Sequence, residues 1–236
     1  MTRISDNLLA VRSDIARACK STGRNPESLR LLAVSKYFGV ADIREAIAAG
    51  QRDFGENYVQ EALDKIMQLP RESIRWHFIG PIQSNKTRDI AEHFDWVQSI
   101  DRLKIAQRLS QQRPAQLPAL NICIQVNISG EGSKSGCRPE QALELCRAIA
   151  PLPHLCLRGL MAIPAPEDAA AGNQAAFRAL HELAGTIRRA DLRGNVAFDT
   201  LSMGMSDDYA SAIAEGSTMV RIGTAIFGAR KTAAIP

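Results

Sequence analysis

The feature that most narrows the fold is an order of segments, a short apolar run followed by a stretch of helical period, which occurs eight times along the chain. In the first half the pairs are Leu29–Lys36 with Val40–Ala49, Arg52–Gly55 with Tyr58–Leu69, Ile74–Ile79 with Asn85–His93, and Trp96–Ile100 with Arg102–Gln112, where Asp101 is the expected cap. In the second half they are Leu120–Ile128 with Pro139–Ala150, Leu155–Ile163 with Gln174–Arg189, Thr200–Met203 with Asp207–Glu215, and Thr218–Ile222 with the short Thr224–Phe227. Runs this apolar suit strands covered on both faces, as in parallel sheets. Eight units without a composition break or a Pro/Ser-rich linker predict one α/β domain over residues 1–236, a closed (β/α)8 TIM barrel. A doubly wound open sheet is the alternative, although a sheet of that width usually carries a crossover or insertion in its middle. Before the first unit, Ile4, Leu8, Val11, Ile15 and Ala18 fall at helical spacing with Ser5 available as cap. An extra N-terminal helix is therefore expected, closed by Gly23 and Pro26.

Composition excludes several classes of function. The net charge of +4 is interspersed rather than blocked, so no nucleic-acid footprint is expected. The five cysteines contain no C-x-x-C pair, which favours a reducing, cytoplasmic setting over a disulfide scaffold. No apolar run reaches the ~18 to 20 residues a membrane helix needs, and the charged start Met1-Thr-Arg-Ile-Ser-Asp6 is unlike a secretory signal. His77, His93, His154 and His181 show no metal-ligand spacing, so no metal site is expected.

In a barrel the chemistry stands at the carboxyl ends of the strands. There the sequence offers Ser35-Lys36, Gly55-Glu56-Asn57, His77 and Gly80, Asn127, Met161, Ser202-Met203-Gly204, and Arg221-Ile222-Gly223-Thr224. A lysine ending an apolar strand has two uses: a desolvated amine that attacks aldehydes at the mouth, or a charge reaching out to water. Gly223-Thr224 opens a short helix where barrels commonly hold phosphate. Ser206 has two readings, a phosphate contact or a cap for the next helix. Arg221, between Val220 and Ile222, points inward, either to an acidic partner or to a ligand. Facing a heteroaromatic nitrogen, it would keep that nitrogen unprotonated. Gly130-Glu-Gly-Ser-Lys-Ser-Gly136 matches neither phosphate-loop spacing and reads as a βα loop, with Lys134 within reach of an anion.

Five motifs in order, Leu31-Leu-Ala-Val-Ser-Lys36, Phe54-Gly-Glu-Asn-Tyr58, Trp76-His-Phe-Ile-Gly-Pro-Ile-Gln-Ser-Asn-Lys86, Leu201-Ser-Met-Gly-Met-Ser-Asp207 and Val220-Arg-Ile-Gly-Thr-Ala-Ile-Phe-Gly228, resemble the YggS/PROSC family of pyridoxal phosphate homeostasis proteins over nearly the whole chain. The resemblance implies the barrel domain of fold-type III enzymes such as alanine racemase, standing alone, with pyridoxal 5'-phosphate (PLP) in Schiff-base linkage to Lys36. It implies that Arg221 faces the pyridine nitrogen, that Ser206, Gly223 and Thr224 hold the phosphate, and that Asn57, His77 and Met203 line the pocket near the ring. One departure is Tyr37-Phe38-Gly39, where many relatives carry a Thr and a Pro.

Three activities fit these residues. The first is a carrier that stores or delivers PLP within the cell as part of vitamin B6 homeostasis, without catalytic turnover, as a monomer whose possible partners are apo PLP-dependent enzymes. The second is a racemase-like enzyme acting on amino acids with Lys36 as its single base. A racemase of this type needs a second base from a partner β-domain, and the sequence runs only about ten residues past the eighth strand, which favours the first. The third is a Schiff-base aldolase or other phosphosugar enzyme without a permanent cofactor.

Overall fold

The computed structural model describes residues 2–69, 74–130, 135–164, 173–194 and 196–229. Eight parallel strands close on themselves in chain order: β1 (Arg30–Val34), β2 (Asp53–Glu56), β3 (Arg75–Phe78), β4 (Trp96–Ile100), β5 (Leu120–Gln125), β6 (Leu155–Met161), β7 (Val196–Ser202) and β8 (Met219–Ile222). Closure is made by β1 against β8, with Arg30 opposite Met219 and Ala33 opposite Ile222. The expected barrel is the observed one, and the open sheet is excluded.

The helices are α1 (Arg3–Ser21), α2 (Val40–Ala48), α3 (Val59–Ile66), α4 (Thr87–His93), α5 (Leu103–Gln112), α6 (Pro139–Ile149), α7 (Gln174–Arg189), α8 (Tyr209–Ala214) and α9 (Thr224–Phe227). The extra helix is α1. Its stripe Ile4, Leu8, Val11, Ile15 and Cys19 is buried, each large apolar side chain contributing about 1.5 to 3 kcal/mol. Asn7 and Arg3 donate to the carbonyls of Ile226 and Phe227, which fastens α1 to α9.

Local expectations need three corrections. Thr2, not Ser5, caps α1: its hydroxyl accepts from the Ser5 N–H, because the helix already begins at Arg3, just ahead of the first apolar residue Ile4, which places Ser5 inside its first turn. Asp101 does not cap α5; the N-cap is Arg102, and the Asp101 carboxylate takes the Arg102 guanidinium instead. Strand β7 begins at Val196 rather than Thr200, its pairing to β6 interrupted by a register shift that masks the alternation. That shift needs Gly159, at φ 149, where an added Cβ would stand 1.8 Å from the Thr200 carbonyl oxygen.

Alternation along the strands sorts two apolar regions. Phe54, Trp76 and Phe78 face outward into the layer shared with the helices. Leu32, Trp96, Cys123, Met161 and Met219 fill the barrel interior. Interior positions not taken by these are polar, among them Asp53, His77, Gln98, Ser202 and Arg221, all buried. Of the loop from Gly130 to Gly136, residues 131–134, including Lys134, lie outside the described residues.

Candidate functional site

At the carboxyl end of β1 the chain turns through Ser35, Lys36 and Tyr37, the last at φ 70. Lys36 stands half-buried on this turn. The turn is held from behind by α3, where Lys65 Nζ donates to the Ser35 carbonyl at 2.9 Å, to Glu56 Oε1 at 2.8 Å and to Glu61 Oε1 at 2.7 Å. Glu61 also accepts the Tyr37 N–H, and Glu56 accepts the Ser35 hydroxyl at 2.5 Å. The loop that carries Lys36 is thus fixed through its backbone by a second, buried lysine.

Burial pushes the Glu56 carboxyl up to about 7, with Lys65 opposing. A raised carboxyl binds its proton more tightly in the folded chain, so this group's stabilisation is full below the unfolded value near 4.5 and is lost as pH rises through about 7. Relative to Glu56→Gln, the native protein should therefore lose roughly 1 to 3 kcal/mol between pH 4.5 and 8, measured as the difference in urea unfolding free energy. A pH-independent difference would contradict this assignment.

The phosphate-type groups lie beside that turn. Gly223 follows β8, and a Cβ there would stand 3.1 Å from the Val34 carbonyl oxygen, so glycine lets β8 and β1 approach closely two residues before Lys36. Phe38 stacks on Phe227 at 5.0 Å, tying the loop after the lysine to α9. Thr224 and Ala225 open α9 with N–H groups that helical geometry leaves without an intrahelical acceptor. The Arg221 N–H donates to the Gly204 carbonyl, which draws the β7 loop with Ser206 to the same side. Ser206 does not cap α8; the N-cap is Asp208, whose carboxylate takes the Met205 N–H. Its hydroxyl is unspent among the described residues.

Arg221 is buried and points inward, as its alternation predicts. No carboxylate pairs with it among the described residues. Its Nη1 donates to the Ser202 carbonyl at 2.7 Å and hydroxyl at 2.8 Å, and its Nη2 to the Ala162 carbonyl at 2.9 Å. Burial lowers its pKa to about 10, so it remains a cation at neutral pH.

From Arg221 a hydrogen-bond chain crosses the barrel. The Ser202 hydroxyl donates to Gln98 Oε1 at 2.6 Å, Gln98 Nε2 lies 2.9 Å from His77 Nδ1, and His77 Nε2 lies 3.0 Å from Asp53 Oδ1. Arg75 closes the far end with a two-pronged contact to Asp53 at 2.8 and 2.7 Å. A guanidinium only donates and a carboxylate only accepts, so one assignment satisfies every link: His77 neutral, protonated on Nε2, accepting at Nδ1 from Gln98. Burial depresses the His77 pKa in the same sense, against Asp53. Burial alone would raise Asp53, but hydrogen bonds from Arg75 and His77 hold it well below the carboxylate range.

The other expected site residues separate. Asn57, half-buried after β2, has its Oδ1 enclosed with no donor to it among the described residues, and its backbone is packed so tightly on Gly80 that a Cβ there would meet the Asn57 carbonyl oxygen at 2.2 Å. His77 is fully buried, stacked on Trp96 at 5.2 Å, with both ring nitrogens spent on Asp53 and Gln98. Met203 is fully buried within the apolar layer between strands and helices. Sequence reading missed Lys65, Gln98 and Asp53. The available signals were a lysine between the buried Ala62 and Ile66 of an amphipathic helix, and polar residues at inward positions of apolar strands.

Residues 7–231 match the family described as alanine racemase, N-terminal domain. The pyridoxal phosphate homeostasis protein of Pseudomonas aeruginosa is 59% identical over 230 residues, which cover 98% of this chain and 97% of that one. The chain belongs to the pyridoxal phosphate homeostasis protein family. Among solved structures similar to this member of the family, PipY of Synechococcus elongatus with PLP bound is 36% identical, with a TM-score of 0.80 over 95% of this chain and 100% of that one. Alanine racemase of Corynebacterium glutamicum, 19% identical, shares the fold at a TM-score of 0.68, with 99% of this chain covering 62% of that one.

Proposed function

We propose that this protein holds PLP at the carboxyl mouth of the barrel, in Schiff-base linkage to Lys36, and serves intracellular PLP homeostasis as a non-catalytic carrier. The relatives it matches over nearly their full length are named for homeostasis rather than for a reaction, and PipY, similar over its whole length, has been solved with PLP bound.

The observation that carries the reading is the fit of the residues to such a cofactor. A lysine held at the mouth, a Ser206 hydroxyl unspent among the described residues, helix-start N–H groups at Thr224 and a close approach at Gly223 suit an aldehyde at one end and a phosphate at the other. Arg221, an obligate donor that meets no carboxylate among the described residues, suits an unprotonated ring nitrogen and so weakens the electron sink that amino-acid chemistry requires. Asn57 adds a buried acceptor for a donor on the ligand. His77 acts through Gln98 and Ser202 on Arg221, and Met203 backs the β7 loop from the outer layer.

Delivery to apo PLP-dependent enzymes has a surface to work with. Tyr37, Tyr58, Ile163 and Met205, four of the six exposed large apolar side chains among the described residues, ride on loops at this mouth. A cytoplasmic monomer presenting that rim completes the proposal.

The purified protein should be yellow or become so with PLP, and should turn over neither D- nor L-amino acids. A preparation that cannot be reconstituted, or one with steady turnover, contradicts it. Thr224→Val should weaken PLP retention roughly 10- to 100-fold, the worth of a charge-assisted phosphate contact at about 1.5 to 3 kcal/mol, read by equilibrium dialysis. Unchanged retention would remove Thr224 from the site.

A further inference from the structure

The end of the barrel opposite the mouth holds a concavity. Between α1, the turn at Pro26–Ser28 and the amino ends of the strands lies a cavity of about 830 Å³, within the usual ~300 to 1,000 Å³ range of small-molecule sites. Among the described residues five guanidiniums line it, from Arg12, Arg30, Arg52, Arg75 and Arg158, against the carboxylates of Glu27, Asp53 and Asp199, which leaves an excess of two positive charges.

The arginines are not equivalent. Arg75 is neutralised by its fork on Asp53, and Arg158 by its fork on Asp199 at 2.9 and 2.7 Å. Arg12 and Arg52 donate to neutral oxygens of Ile47, Ala49 and Gln51. Arg30 is half-buried, and among the described residues its guanidinium makes neither a hydrogen bond nor an ion pair. It lies 5.1 Å over the Trp96 ring, which also carries Arg158 at 4.7 Å. Two cations thus share one indole with one carboxylate between them.

We propose that this cavity binds a small phosphate monoester, with the Arg30 guanidinium as its principal donor. A phosphate monoester carries about −1.5 to −2 at neutral pH, which matches the excess charge, and its oxygens suit the planar fork of arginine. The site is separate from the mouth, at the other end of the strands, and does not depend on the PLP reading.

The test uses Trp96 as reporter. Trp76 is the other tryptophan of the chain, so Trp76→Phe leaves Trp96 as sole emitter. Titration with inorganic phosphate at constant ionic strength in chloride should give a saturable change in emission, weakened tenfold or more by Arg30→Ala and unmoved by Thr224→Val. Absence of a saturable change, or one that survives Arg30→Ala, overturns the proposal; sensitivity to Thr224→Val instead would assign the phosphate to the mouth. Should Trp76→Phe fail to fold, the phosphate-dependent rise in melting temperature of the native protein is compared with that of Arg30→Ala, and an equal rise in both overturns it.

Discussion

Lys36→Ala is expected to fold as the native chain does and to retain no PLP through dialysis or borohydride treatment. The side chain stands on a turn at the mouth rather than in the packed layers, and the turn is held by its backbone, through the Ser35 carbonyl on Lys65 and the Tyr37 N–H on Glu61. Truncation there should change unfolding free energy by no more than about 1 kcal/mol. Lys65 is a poor substitute, since its ammonium is buried on three oxygens and so has neither a free electron pair nor access. Circular dichroism with visible absorbance separates the outcomes. Loss of fold would make Lys36 structural, and a persistent reducible adduct would place the attachment on another amine.

Asp53→Ala should cost about 2 to 3 kcal/mol of unfolding free energy, the upper range for leaving a buried donor without its acceptor. It takes the acceptor from His77 Nε2 at the closed end of a chain in which each link has one satisfying orientation, while Arg75, half-exposed, can turn to water. Gln98→Leu, which cuts the same chain in the middle, should cost about 2 kcal/mol by orphaning the Ser202 hydroxyl and His77 Nδ1. The acid side carries the sign. The folded Asp53 pKa is depressed, so its stabilisation is full above the unfolded value near 3.8 and is lost as pH falls below it. His77 is depressed too, so an unfolded chain takes a proton near 6.5 that the folded chain refuses, and stability starts to fall below that pH. The gap between native protein and Asp53→Ala, by urea titration, should narrow as pH falls through 4; a constant gap would mean that the carboxylate charge contributes nothing.

The barrel was legible because its strands are continuous apolar runs and its helices keep a clean 3.6 period, signals that survive without tertiary context. Ends were less so. Thr2 and Arg102 cap where Ser5 and Asp101 have the better chemistry, because tertiary packing rather than cap preference decides where these helices start. Of the proposed site, Lys36, Arg221, Ser206, Gly223 and Thr224 could be named from strand-end position and motif. The alternatives left open for Arg221 and Ser206 needed the three-dimensional arrangement: among the described residues no carboxylate meets the first, and Asp208 has taken the cap position from the second. The crossing chain was out of reach, since Ser202 and Gln98 meet across 104 residues and each alone reads as an ordinary polar strand residue. Lys65 was missed for a related reason, its partners Glu56 and Ser35 lying on two other elements.

The central claim is the identity of the amine that holds the cofactor. Incubating the native protein with PLP, reducing with borohydride, digesting, and mapping the pyridoxyl group by mass spectrometry addresses it directly. One modified peptide, stoichiometric and carrying the group on Lys36, is the predicted result; a group spread over surface lysines, or found on Lys65, would contradict the account.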